Sequence, residues 1–463
     1  MAFVDQLDQT VEKIIDEAIE YYMDSVGFFR AQTGNYHFTQ DPTWEITPPG
    51  NPARTAGGQV THSGSPAEWG FDYGSGTNAG SLVYGHFEDT IRDMFSWWRE
   101  IPTPADFDQY LNYLRDAAWY ISLTSTGDKV QEVGNVEMTA VQFLQDHIGG
   151  DDMNGPMIYT FDQNFCTPLP QVIHGQYAVM LLAGTTLCGE KEIWTNAQQD
   201  ILNIATEMLK GMQARGSGHE INIKTIISLI SIATVFPVPG KQILSGASTV
   251  LGALDSLLHP GGQPTQPTAK FEAGDPDGVI GKGKDALKTL AQSIRGLEGD
   301  MANKLKDAMN TVTSKAGSFD LPKPKLLDTT SIDEMKVNLQ ELDFLATDTL
   351  PKIEKQLNQA SDNASFGGSC SDAWYRPIDI GASDTVYGPY EEWSAVARMA
   401  KELTADLAWE VKASGEHLAI AAEQTGRTEA QIEDSMNRHA KMLEDGSGYD
   451  PIGDATKWVN EHR

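Results

Sequence analysis

Asp151-Asp152-Met153-Asn154-Gly155-Pro156 is the stretch on which the reading of this chain turns. Residues 103–149 before it carry apolar side chains at helical spacing, and residues 157–214 after it do the same. A compact Gly-Pro turn between two long amphipathic runs predicts a helical hairpin with antiparallel arms. Thr103-Pro104-Ala105-Asp106 opens the first arm with an N-cap, a first-turn proline and an acidic residue at the positive helix end. Phe107, Leu111, Leu114, Ala118 and Ile121 continue it inward, and after a break near Gly127 it resumes through Val133, Val136, Val141, Leu144 and Ile148. The second arm carries Phe161, Phe165, Leu169 and Val172, then Val179 to Met212, with Pro168 and Pro170 placed to kink or divide it. Roughly 40 helical residues at about 1.5 Å each would make a rod of about 60 Å.

The same periodicity extends outward to both ends. Val4, Leu7, Val11, Ile14, Ala18, Tyr22, Val26 and Phe29 form one amphipathic face on a helix ending before Gly34, and Val83, Phe87, Ile91, Met94 and Trp98 form another. Between them residues 34–80 are rich in Gly, Pro, Thr and Asn but hold Trp44, Trp69, Phe71 and Tyr73, which predicts an ordered aromatic cap. Residues 221–258 are the most apolar part of the chain, divided by Pro237 and Pro239 into halves each shorter than a bilayer span. Leu287, Leu290, Ile294, Leu297, Met301, Leu305 and Met309 repeat at the 3-4 spacing of a coiled-coil seam. Ser331-Ile332-Asp333-Glu334 and Thr428-Glu429-Ala430-Gln431 read as helix starts. No stretch alternates convincingly as a strand. The expected fold is all-α, an elongated multi-helix bundle built on long antiparallel hairpins.

Six segments follow from these breaks. Residues 1–100 hold the N-terminal helices and the aromatic loop, 101–218 the hairpin, and 219–262 an apolar helical hairpin. Residues 263–330 hold a linker and a long amphipathic helix, 331–444 the C-terminal helices, and 445–463 a tail.

Sixty-five acidic residues against 34 basic ones give a formal charge of −31 in 463 residues. That balance argues against nucleic acid, which demands clustered Lys and Arg. Numerous acidic pairs read as solvated helix faces. Cys166, Cys188 and Cys370 show no CxxC spacing and are expected as buried free thiols, a Cys166–Cys188 bridge being the alternative. Met1 to Asp8 lacks a basic region and an apolar run, so no Sec leader or anchor is read there.

Gly278 to Lys284 approaches a phosphate loop, but Asp285 stands where a hydroxyl would bind magnesium, and no strand precedes it. The ten histidines form no HxxxH or HExxH pattern, and neither a calcium loop nor a nucleophile elbow is present. Catalytic, cofactor and metal residues are therefore all expected to be none, and no small-molecule substrate is evident.

The turn Met153-Asn154-Gly155, followed by Tyr159, Phe161 and Phe165, resembles the WXG-motif (ESX) superfamily of helical hairpins exported by type VII secretion. Gly155 matches in place, and Met153 stands where the family has Trp. Gln176, Leu187, Lys191 and Ile193 are similar in rhythm to the long actinobacterial members. The likeness spans about residues 103–258. It implies a hairpin turned at Gly155 and locked by Phe161 and Phe165, and an export motif of the form Tyr-x-x-x-Asp/Glu. Tyr84 with Glu88 and Tyr387 with Glu391 fit its letters.

The expectation is a non-enzymatic helical scaffold, a type VII secretion substrate or a partner of small hairpin proteins. It would be secreted without a Sec signal, the alternative being cytoplasmic. Its partners would be proteins or further copies of itself, with membrane contact the less favoured option. The alternative is an α-helical pore former inserting residues 221–258, against which Lys241 and Asp255 weigh.

Overall fold

The computed structural model describes residues 2–40, 45–46, 48, 79–123, 125–126, 131–132, 134–148, 156–215, 220–222, 268–270, 274–321, 338–424 and 446–462. The fold is all-α. Helix α1 (Phe3–Ser25) buries Leu7, Val11, Ile14, Ala18 and Tyr22, the face read from the sequence. It stops earlier than that face suggests, because Gly27 takes φ +87° and turns the chain into strand β1 (Phe28–Arg30). With β2 (Tyr36–Phe38) and β3 (Glu45–Ile46), β1 forms a small antiparallel sheet. Strands of two or three residues are too short to show a period-2 pattern, which is why the sequence did not announce them. Trp44, Trp69, Phe71 and Tyr73 lie outside the described residues.

Helix α2 (Ala79–Ser96) follows and packs on α1. A short 3₁₀ turn at Pro104–Phe107 leads into α3 (Asp108–Tyr120), and the β4 (Ser125–Thr126) and β5 (Gln131–Glu132) ribbon separates it from α4 (Thr139–His147). The first flank of the turn is thus divided. Met153, Asn154 and Gly155 themselves lie outside the described residues. Beyond them come α5 (Pro156–Phe161), a π-helical turn at Asp162–Cys166, and α6 (Leu169–Ala214). Pro168 caps α6 and Pro170 sits in its first turn, where a missing amide costs nothing.

Helix α6 is the axis of the molecule. Its 46 residues extend about 70 Å at 1.5 Å per residue. From Gly175 to Glu190 every residue is buried, so this stretch is covered all round rather than along one stripe. The helix segment Asp162–Ala214 is long and apolar enough to cross a membrane, and 94% of its apolar window is buried within the protein. Each fully enclosed Leu or Ile there contributes about 1.5–3 kcal/mol. Around α6 lie α1, α3 and two later helices, α7 (Pro276–Ser314) and α10 (Tyr390–Gln424). A two-stranded ribbon, β6 (Glu220–Asn222) with β7 (Thr268–Lys270), stands between α6 and α7 in sequence. Of the apolar 221–258 segment only its first two residues are described.

Both α7 and α10 run antiparallel to α6. Met208 of α6 meets Gly283 of α7, while Glu190 and Glu298 meet at the other level. Trp393 of α10 bonds the Ala183 carbonyl, and Leu403 accepts from Gln176. Gly175 lets the chain at Ser318 cross α6 closely, since a Cβ there would stand 2.1 Å from the Ser318 carbonyl oxygen.

The most extensive helix pair is a hairpin near the C-terminal end. Its first arm comprises α8 (Leu339–Phe344), a π-helical turn at Leu345–Thr349, and α9 (Leu350–Gly367); its second arm is α10. Gly415 faces Ala346 and Leu350, Ser361 bonds the Lys401 carbonyl, and Gly368 faces Ala397, so the arms are antiparallel. Residues 368–389 connect them. Helix α11 (Pro451–Glu461), capped by Asp450, packs on α7 and α10. The helix starts expected at Ser331 and Thr428 lie outside the described residues. The first arm instead opens at Asn338, whose side chain accepts from the Glu341 amide.

Candidate functional site: a buried arginine between two glutamates

Three elements bring charge into the core. Helix α6 supplies Glu190 and, one turn on, Trp194. Helix α7 supplies Glu298, and the connector supplies Arg376. Glu190 and Arg376 are fully buried and Glu298 is 4% exposed. Arg376 Nη1 donates to Glu190 Oε1 at 3.3 Å and to the Trp374 carbonyl at 3.0 Å. Arg376 Nη2 is in direct contact with Glu298 Oε1. Trp194 donates its indole N–H to Glu190 Oε1 at 2.7 Å, and the guanidinium carbon lies 5.2 Å from the Trp194 ring centroid.

Burial pushes both carboxyls above the usual carboxylate range, with Arg376 opposing the rise. The rise is larger for Glu298, where the neighbouring Glu190 charge adds to it. The two carboxyls are hydrogen-bonded, and the bond favours charge on Glu190 and a proton on Glu298. Pairing the guanidinium with these carboxyls offsets the several kcal/mol per ion that an uncompensated buried charge costs.

A ring of aromatic residues closes the site. Trp374 packs edge-on against Phe107 at 6.0 Å and lies 5.4 Å from Trp393, which donates to the Ala183 carbonyl at 2.8 Å. The Trp374 indole N–H bonds Cys370 Sγ at 3.3 Å, and burial pushes that thiol up to about 12. All three cysteines are free and buried. On the connector's return, Arg376 N donates to the Val386 carbonyl, and Gly388 adopts φ +52°. A Cβ at Gly388 would fall 1.5 Å from Arg376 Nη2 and 2.8 Å from Glu298 Oε2. With so little access, these groups can organise the fold but cannot meet a diffusing substrate.

A second acidic group is more open. Asp320, Asp406 and Glu410 are half-buried, with one carboxylate oxygen from each within 4.8 Å of the others. Burial first, then the Asp320 and Asp406 charges, push Glu410 up to about 9. Asp406 accepts from the Ser447 hydroxyl, and Glu410 Oε2 has no hydrogen-bond partner. Three carboxylates are an all-oxygen donor set of the kind hard cations use, at about half the ligand number calcium takes.

The residues singled out in the sequence fall elsewhere. Phe161 and Phe165 do meet, their rings stacked 5.1 Å apart where α5 enters its π-helical turn. Tyr84 and Glu88 lie on α2, where burial and the hydrogen-bonded Tyr36 raise the Tyr84 phenol. Tyr387 is exposed in the connector, and Glu391, one turn later in α10, accepts from His462 Nε2 at 3.1 Å. Gly278 to Lys284 lie inside α7, whose N-cap Asp275 takes the Gly278 amide at 2.7 Å.

The acids expected on solvated faces include two that are not solvated. Glu298, not Leu297 alone, occupies the inner seam of α7, and Leu297 is only half-buried. Glu298 lies four residues after Ile294 and three before Met301, a polar residue at seam spacing, and that was the available signal. Glu190, inside the apolar run of α6 and one turn from Trp194, was another. Nothing local marked Arg376. Compared with family models, curated proteins and solved structures, the chain matches none.

Two outcomes test this geometry. Gly388→Ala is expected to cost more than about 2 kcal/mol in urea unfolding, because it combines a left-handed backbone with a clash on Arg376. Glu410 has a folded pKa raised above its unfolded value, so the folded state holds the extra proton and stability falls as pH rises from about 4.5 to about 9. Glu410→Gln should remove that decline and gain about 1 kcal/mol or more at pH 8, with little change at pH 4, in thermal melts across the range.

Proposed function

We propose that this protein is a non-enzymatic helical interaction scaffold associated with type VII secretion, exported as a substrate or acting as a partner of small hairpin proteins. One observation carries the reading. Among the described residues the most extensive helix packing is an antiparallel hairpin, and a buried Arg376 paired with Glu190 and Glu298 holds its connector. Hairpins whose tips are fixed present rigid, reproducible surfaces, which suits recognition by other helices. The likeness around Met153-Asn154-Gly155 and the Tyr-x-x-x-Glu spacing at Tyr387 and Glu391 add the secretion context. Exposure of Tyr387, and of the Glu391 side chain at 74%, keeps that pair accessible at the start of α10. On this reading the protein leaves the cell through the type VII system.

Export is measured by expressing the tagged chain in a host with a working type VII system and in the same host lacking the system's ATPase. The protein should accumulate in the culture filtrate of the first and be retained by the second. Retention in both, with a cytosolic marker confirming intact cells, contradicts the proposal.

A further inference from the structure

The connector 368–389 does more than join two arms. Arg376 is drawn inward, while its neighbours Tyr375 and Ile378 are left 45% and 50% exposed. Tyr387, on the return of the connector, is 41% exposed, with its ring 6.2 Å from Tyr375 and 6.2 Å from Tyr390. The 3₁₀ turn Ile378–Ile380 packs against the 3₁₀ turn Trp97–Arg99, adding Trp97 to the same end at 45% exposure. The backbone that presents these side chains is held by the buried cluster, by the Arg376–Val386 bond and by Trp374. Large rings shown to solvent on a fixed backbone resemble a paratope: contact area at little entropic cost.

The carboxylates around them outnumber the cations, each of which is already paired. Glu100, Asp372 and Asp379 are exposed and make no ion pair among the described residues. Asp384 and Glu391 add two more carboxylates, engaged by Arg295 and His462. The nearby Arg99 guanidinium is held by Asp8 at 2.7 Å, and that of Arg376 is buried. Nucleic acid and anionic membranes are repelled by such a surface. A guanidinium or ammonium group is attracted both by the carboxylates and by the ring faces, at about 0.5–1 kcal/mol per exposed cation–π contact.

We propose that this connector face docks a basic segment of a partner protein, with Arg or Lys side chains laid against Tyr375 and Trp97 between Glu100, Asp372 and Asp379. The inference rests on the reading of the protein as an interaction scaffold, and it names the surface and the chemistry of the partner.

The test titrates the full chain into a fluorescein-labelled peptide of alternating arginine and glycine, read by anisotropy at about 0.15 M salt, where long-range charge is screened beyond roughly 8 Å. Tyr375→Ser with Trp97→Ser should weaken binding about tenfold. Tyr113→Ser with Phe366→Ser removes the exposed ring pair of α3 and α9, centroids 5.5 Å apart, at unchanged charge, and should leave binding as it is. Equal loss in both pairs, or none in the first, overturns the proposal. If the first pair fails to match the parent's circular dichroism, Asp372→Asn with Asp379→Asn replaces it. That pair should weaken binding about fivefold, and unchanged binding overturns the proposal equally. None of these variants touches Tyr387 or Glu391, so loss of peptide binding with export intact refutes the docking surface alone. Retention in the export assay with peptide binding intact refutes only the secretion reading.

Discussion

Arg376 has no route to water, and the arrangement of this end of the molecule depends on that. A buried guanidinium must be matched by a negative charge, and here carboxyl groups from two different helices are available. The match fixes the connector against α6 and α7 together. It also obliges Gly388 to be a glycine, because the returning chain passes where any side chain would displace the guanidinium. Removing Arg376 leaves two buried carboxyls without their counter-ion, which costs about 3–5 kcal/mol, whereas replacing all three with well-packed apolar groups can be neutral. The cluster is thus a device of specificity. It selects one position for the connector among those an oily core would permit.

That constraint links the interior to the surface. Residue 376 turns in, so residues 375 and 378 turn out, and the aromatic and acidic face at the hairpin tip is a consequence of the same backbone course. Trp374, Trp393 and Trp194 fill the space around the cluster, and each indole N–H finds a partner, as buried indoles require. The half-buried group of Asp320, Asp406 and Glu410 answers a similar problem differently. With no arginine among them, Glu410 meets the crowding by keeping its proton.

Helical character was plain from apolar spacing alone: apart from Val4, Val26, Phe29 and Leu297, the residues that the 3-4 rhythm picked out lie on the inner faces of α1, α6 and α7. The place of each helix was not. The turn read at Met153-Asn154-Gly155 lies outside the described residues, and α6 packs against four helices, a fact that only long-range contacts carry. Glu190 and Glu298 looked like two of many acids, because periodicity assigns a residue to a face but does not tell a wet face from a dry one when the exception is charged. Arg376 sits in a loop, where no period exists, and its partners lie 186 residues away in one case. Short strands β1 to β3 escaped for want of length.

The central claim is that Arg376, Glu190 and Glu298 act as one unit. A double-mutant cycle of Arg376→Met and Glu298→Met, measured by urea unfolding of the two single variants, the double variant and the parent, addresses it directly. A coupling energy above about 2 kcal/mol is expected, the double variant being far less destabilised than the sum of the singles. Additivity within about 0.5 kcal/mol would show that the two side chains do not depend on each other and would contradict it.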